Sequence, residues 1–252
     1  MKKTFSDNLT AKTFAILQNA FDELEISAYL IGAQARDVWF LPMKSSRITR
    51  DIDWVLANSS VAVFNELKTF LIQQRGFSET SNPLKIKSLD GIEVDLIPFD
   101  FPDTPHFFGL YEIFERGTEG VTFDDGKTYQ VATLPAIILL KFIAFDNRPE
   151  YRSKDILDIA YILRRFEDDS DEYFILLTEM QAELVPARLI GRKINHIIGD
   201  SLDLKNHFTK ILELLIANPK KDKIAEIMIR GTDENEDFAV SLLAEILKGV
   251  LE

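Results

Sequence analysis

Cysteine is absent from all 252 residues, which removes disulfides, thiolate metal sites and a cysteine nucleophile and suits a reducing compartment. Histidine is scarce. His106, His196 and His207 have no metal-like spacing and no serine motif beside them, so none is assigned catalysis. Long apolar runs are missing too: "LPAIILLKFIAF" is about a dozen residues and carries Lys141, and the lysines of "MKKTFSDNLTAKTF" precede no apolar core. Neither secretion nor a membrane span is therefore expected, and the expected location is the cytoplasm. Positive charge is also short, with 29 Lys and Arg against 41 Asp and Glu and a formal net charge of −12. That balance argues against coating nucleic acid non-specifically, because backbone binding needs clustered cations. A local basic groove, metal cations, cationic small molecules and a nucleotide screened by its own metal all stay compatible.

What is present is an ordinary globular composition, 46% hydrophobic and 28% charged, long enough for one large or two modest domains. The stretch "TAKTFAILQNAFDELE" has helical apolar spacing, and "ISAYLIG" is a short apolar run ending at a glycine, so a helix, a strand and a turn are expected. "AQARDVWFL" reads as a helix stopped by Pro42, "MKSSRIT" as a polar loop, and "DIDWVLA" as an alternating strand. "SVAVFNELKTFLIQQRG" is an amphipathic helix closed by Gly76, with Ser59 or Ser60 as N-cap. Asp90-Gly91 and Asp125-Gly126 each separate two alternating runs and predict hairpins, the first pairing Leu84 to Leu89 with Ile92 to Phe99. From Leu134 onward every segment has helical periodicity. The expected fold is thus an α/β (α+β) unit over residues 1–133, a mixed sheet flanked by helices, followed by an all-α unit over 134–252. The charge run "EDDSDE" at 167–172 reads as a solvated loop or a helix start.

Chemistry concentrates at "RITRDIDWVL". On a strand, residues i and i+2 share a face about 6.6 Å apart, so Asp51 and Asp53 project together while Ile52 and Trp54 face the other way. Two adjacent carboxylates repel unless solvated or bridged by a cation, and Mg²⁺ prefers such oxygen ligands. A solvent-facing strand end is the competing interpretation. A third carboxylate, Asp95, lies in "GIEVDLIPF" on a strand that could neighbour the first and share its face with Glu93. Upstream, "YLIGAQARD" puts Gly32 at a strand-to-helix turn, where free backbone N–H groups and the helix dipole favour phosphate. Together these supply a triphosphate cradle and ligands for two metals about 3.5–4 Å apart, the requirements of metal-assisted nucleotidyl transfer.

On these residues the chain resembles the DNA polymerase β-like nucleotidyltransferase superfamily, with a strand, a small-residue turn and helix, an Asp-x-Asp strand and a third acidic strand. It is most similar to the AbiEii-type nucleotidyltransferase toxin family, whose Gly-Gly or Gly-Ser, then Arg, Thr and Asp-x-Asp pattern is approached by "IGAQARD" and "RITRDID". Downstream, "LLKFIAFDNRPEYRSKDILDIA" supplies Lys141, Arg148, Lys154, Asp155 and Asp158 in the order that family uses, so the resemblance spans about residues 29–160. It implies that Asp51, Asp53 and Asp95 hold two Mg²⁺ ions, with Asp95 a ligand or the base, and that Gly32 and the Ala33 amide cradle the phosphates of an NTP substrate. It further implies that Lys141 meets those phosphates with Asp155 orienting it, and that Arg47 and Thr49 form the run-in to the acidic pair. Ala33 departs from the pattern, losing a hydroxyl and hindering close backbone approach.

The resemblance implies an RNA acceptor such as a tRNA 3′ end and a possible cognate antitoxin. An RNA surface would draw on Arg188, Arg192, Lys193, Lys220, Lys221 and Lys223, which could equally be solvated helix faces. The acidic balance suits a cationic acceptor of the aminoglycoside kind instead. A non-catalytic binding module of the same fold is the third reading. Lys141 could merely snorkel from its helix to solvent, Lys154, Asp155 and Asp158 could be helix-surface charges, and Arg36 and Asp37 could pair structurally.

Overall fold

Residues 8–40, 51–57, 60–99, 109–220 and 223–252 are described by a computed structural model of the chain. The chain divides into two compact units, Met1–Thr133 and Leu134–Glu252. The first contains α1 (Asn8–Glu23), β1 (Ala28–Ile31), α2 (Gly32–Trp39), β2 (Asp51–Leu56), α3 (Val61–Arg75), β3 (Ser78–Glu79), β4 (Lys85–Lys87), β5 (Glu93–Pro98), α4 (Leu110–Arg116), β6 (Thr118–Thr122) and β7 (Thr128–Ala132). These strands form a seven-stranded sheet in the order β3-β4-β5-β2-β1-β7-β6. It is mixed: β2 runs antiparallel to β1 but parallel to β5, and β1 runs parallel to β7. The mixed sheet with flanking helices and the helical C-terminal unit make up the fold class that hydrophobic periodicity predicts.

Turn chemistry fixes the local detail. The hydroxyl of Ser60 accepts from Val63 N–H at the start of α3, and Gly76 closes that helix in the left-handed region at φ 75°. Both Asp-Gly turns make their hairpins, β4 with β5 and β6 with β7, with Gly91 and Gly126 at positive φ. Two elements, β3 and α4, were not expected. β3 is only two residues and α4 only seven, both too short to establish a period.

The alternation of β2 decides which side of the sheet is core. Ile52 and Trp54 are fully buried, and the Trp54 ring meets Phe14 and Phe21 of α1 edge-on at centroid distances of 5.6 and 5.2 Å. The opposite parity sends Asp51 and Asp53 to the other face. Trp39 anchors α2 by donating from Nε1 to the Ala132 carbonyl at 2.7 Å.

The second unit contains α5 (Leu134–Asn147), a 3-10 turn at Pro149–Tyr151, α6 (Ser153–Leu163), α7 (Asp171–Glu179), a second 3-10 turn at Ala182–Leu184, α8 (Val185–Ile198), α9 (Leu202–Ala217), α10 (Ile224–Met228) and α11 (Glu236–Leu251). The "EDDSDE" run does both of the things expected of it: Asp168 Oδ1 accepts from Ser170 N–H in the loop, and Ser170 caps α7 by accepting from Tyr173 N–H. At the crossing of α8 and α11, a Cβ added to Gly249 would collide with the Arg188 carbonyl and stand 2.8 Å from Arg192 N and 2.9 Å from the Gly191 Cα. The two helices therefore touch backbone to backbone. Among the described residues no helix is long and apolar enough to cross a membrane.

Candidate functional site

Strand register assembles the acidic face. In the parallel pair β2–β5, Asp51 lies beside Glu93 and Asp53 beside Asp95. Four carboxylates thus form two cross-strand rows on one face of the sheet. Asp53 and Asp95 stand close enough for a side-chain hydrogen bond to act between the two carboxyls. Asp51, at the exposed start of β2, contributes charge to the group without contact of that kind. Among the described residues no three acidic or histidine side chains stand close enough to hold one ion between them.

Burial pushes the Asp95 carboxyl above the ordinary carboxylate range. The Lys85 ammonium and the bond with Asp53 pull it down without cancelling the rise, to which the charge of Asp51 adds. A carboxyl raised in the folded state favours folding most below its unfolded value of about 3.9, and that advantage is lost as pH rises through the folded value. Without divalent cations, thermal stability is therefore expected to fall as pH rises from about 3.9 through the raised folded value, with Asp95→Asn flattening that part of the profile. A variant keeping the full wild-type slope would place its origin in another group.

Lys85 was not among the expected site residues. It is the antiparallel partner of Asp95 in the hairpin, and its Nζ lies 2.9 Å from Glu93 Oε2 and 3.4 Å from Asp95 Oδ2. Burial lowers its pKa, but the hydrogen bond to Glu93 and the charges of Asp95, Asp51 and Glu93 outweigh that and raise it overall. A two-residue Asp90-Gly91 turn would set Ile86 opposite Asp95; the loop instead takes in Leu89 as well, with Ser88 N–H donating to the Ile92 carbonyl, and this one-residue shift is what brings Lys85 opposite Asp95.

Gly32 opens α2 at φ 73°, after Ile31, which provides no side-chain cap. A Cβ at this position would collide with Asp53 Oδ2. Only glycine lets the carboxylate approach the first turn of the helix so closely. The turn predicted to cradle phosphate, Gly32 and the Ala33 amide, thus faces Asp53, and a phosphate could join that carboxylate only with a cation between them. Arg36 and Asp37 form a 2.6 Å ion pair beneath it, the structural pairing considered above. Arg47 and Thr49 lie outside the described residues.

The residues fit magnesium on two counts: the donors are hard carboxylate oxygens, and the Lys85 ammonium already stands in as a cation against Glu93 and Asp95.

In the helical unit, Lys141 neither snorkels to solvent nor stands as an open cation. It is 8% exposed, and its Nζ lies 2.9 Å from Asp155 Oδ1 and 2.7 Å from Asp158 Oδ2, themselves 8% and 7% exposed. Lys141, Asp155 and Asp158 thus form a buried triad of ion pairs within this unit. Asp155 Oδ2 has no hydrogen bond and only a 3.5 Å ion pair with Arg152 Nη1. Of the basic residues considered for RNA, Arg188 is held by Glu245 and, at 2.6 Å, Glu252; Arg192 is held by Glu252 and, at 2.9 Å, Glu172; and Lys193 lies 2.9 Å from Asp168. Their charges are spent on neighbouring helices and loops. Lys221 lies outside the described residues.

No family profile and no curated protein sequence matches this chain. Among solved structures, it is similar to an antigenic nucleotidyltransferase-like protein from Paracoccidioides brasiliensis, with 16% identity over 87% of this chain and 94% of that one and a TM-score of 0.48. It is also similar to the antibiotic-resistance factor ANT(2'')-Ia, with 17% identity over 60% of this chain and 81% of that one and a TM-score of 0.40.

Proposed function

We propose that the chain is a metal-dependent nucleotidyltransferase that moves a nucleoside monophosphate from an NTP to a hydroxyl acceptor. The observation that carries this reading is the contact of Asp53 with Asp95 on adjacent parallel strands, with the Gly32 turn against the same carboxylate. Asp53 and Asp95 would hold Mg²⁺, with Asp51 next along the strand. Magnesium bound there would neutralise phosphate charge and make the acceptor hydroxyl more acidic.

The chain's own groups do the remainder. The N–H groups of the first turn of α2, at the positive end of its dipole, are offered to the phosphates. Asp95, beside Asp53 on the adjacent strand, is placed as ligand or as the base that takes the acceptor's hydroxyl proton. The acceptor oxygen forms a bond to the α-phosphorus as the bond from that phosphorus to the leaving oxygen breaks, and pyrophosphate departs. Rate comes from alignment and from charge placed in advance.

For the acceptor, the ion pairs of Arg188, Arg192 and Lys193 and the net charge of −12 favour a cationic small molecule over RNA. Labelled NTPs assayed against total RNA and against an aminoglycoside panel separate the two. In the productive assay Asp53→Asn is expected to reduce transfer by at least about a thousandfold with little loss of fold, the scale of several kcal/mol of metal-borne charge stabilisation. Gly32→Ala should be similarly inactive, since its Cβ displaces Asp53 and the left-handed backbone adds roughly 1–2 kcal/mol of strain. Equal activity in Asp53→Asn removes the proposal. Absence of both transfer and any nucleotide-dependent thermal shift would favour the non-catalytic module.

A further inference from the structure

The acidic face is not left to a metal alone. β4 lays Lys85 beside Asp95 and Lys87 beside Glu93, and the Lys85 side chain, only 19% exposed, is drawn in over the carboxylates rather than extended into water. Its ammonium touches Glu93 at 2.9 Å and Asp95 at 3.4 Å. Resting on the reading above, we propose that Lys85 is a built-in cation that takes the place of one of the two divalent ions expected there, so that this face binds a single divalent ion.

Two divalent ions need carboxylate oxygens on both sides of the pair, and the oxygens on the β5 side are Glu93 and Asp95. Lys85 already stands against one oxygen of each, Glu93 Oε2 and Asp95 Oδ2. A second dication could use them only by coming within a few ångströms of a fixed positive charge on a partly buried stem, where water screens poorly. Asp53, against the Gly32 turn on the far side of Asp95 from β4, is left to hold the remaining ion with one Asp95 oxygen. Lys85 is thereby a residue that sets metal stoichiometry, and its charge stays in place whether or not the metal is bound.

Mn²⁺ serves as the probe, with bound ions counted by electron paramagnetic resonance and affinity measured by calorimetry on the full chain without nucleotide. The wild-type chain should bind one Mn²⁺, Asp53→Asn none, Lys85→Arg one, and Lys85→Met two, with the first site at least tenfold tighter. Lys85→Gln replaces Lys85→Met if the apolar side chain disturbs the hairpin. If Lys85→Met binds one ion with unchanged affinity, or the wild-type chain binds two, the inference falls and the nucleotidyltransferase reading stands. If neither protein binds Mn²⁺, both fall.

Discussion

Replacing Lys141 with alanine is expected to destabilise the helical unit by about 3–5 kcal/mol, the usual result of leaving a buried charge without its partner. The cost is at the upper end because two carboxylates lose the same cation. Asp155 and Asp158 lie on one face of α6, three residues apart, and both turn inward onto Lys141 of α5. The triad thus joins two helices at the price of burying three ionised groups. Exchanging all three at once, as Lys141→Met with Asp155→Leu and Asp158→Leu, should recover most of the loss, since apolar packing of similar volume often matches or exceeds a buried ion network. Urea denaturation followed by far-ultraviolet circular dichroism measures both. A single variant within about 1 kcal/mol of the parent would mean the ammonium is not what holds the carboxylates inside.

The second large effect has a sign opposite to the one helix propensity gives. An interior helix glycine ordinarily costs up to about 1 kcal/mol relative to alanine, so Gly249→Ala would be stabilising on a solvated helix. Here the new methyl collides with the Arg188 carbonyl, and the next nearest atoms are the Arg192 nitrogen and the Gly191 Cα, all backbone. None can rotate away, and α8 and α11 must separate. A loss of about 2–3 kcal/mol is expected for Gly249→Ala and more for Gly249→Val, in the range of core overpacking. Separation would also stretch Arg188 from Glu245 and Arg192 from Glu252, the ion pairs that straddle the crossing. Gly191→Ala meets the Ile246 carbonyl and should behave alike. The same denaturation curves decide it, and a more stable Gly249→Ala would show that the helices have room.

These two cases mark where sequence stops being informative. That Asp51 and Asp53 share a face follows from a period of two, which is local arithmetic. The place of Lys85 opposite Asp95 does not, because a two-residue turn would pair Asp95 with Ile86 and the extra loop residue, Leu89, shifts the register by one. That β5 rather than another strand lies beside β2, and in the register that puts Asp95 against Asp53, depends on a crossover through α3 that no short pattern encodes. Lys141 has the same appearance in a sequence whether it snorkels or is buried, because its fate depends on α6, more than ten residues away. Gly191 and Gly249 are nearly sixty residues apart, and each alone looks like a small defect in a helix. Local periods give elements and faces, while the partners of those faces are set by packing between distant segments.

Both tryptophans, Trp39 and Trp54, belong to the first 133 residues, and Trp54 is fully buried on the side of the sheet opposite the acidic face, against the Phe14 and Phe21 rings. Intrinsic indole emission therefore watches the sheet and is blind to the helical unit, which contributes only tyrosine and phenylalanine. A red shift on heating, titrating or mutating this protein reports the opening of the half that carries the carboxylates, and a helical signal lost without that shift is assigned to the other half with no added label.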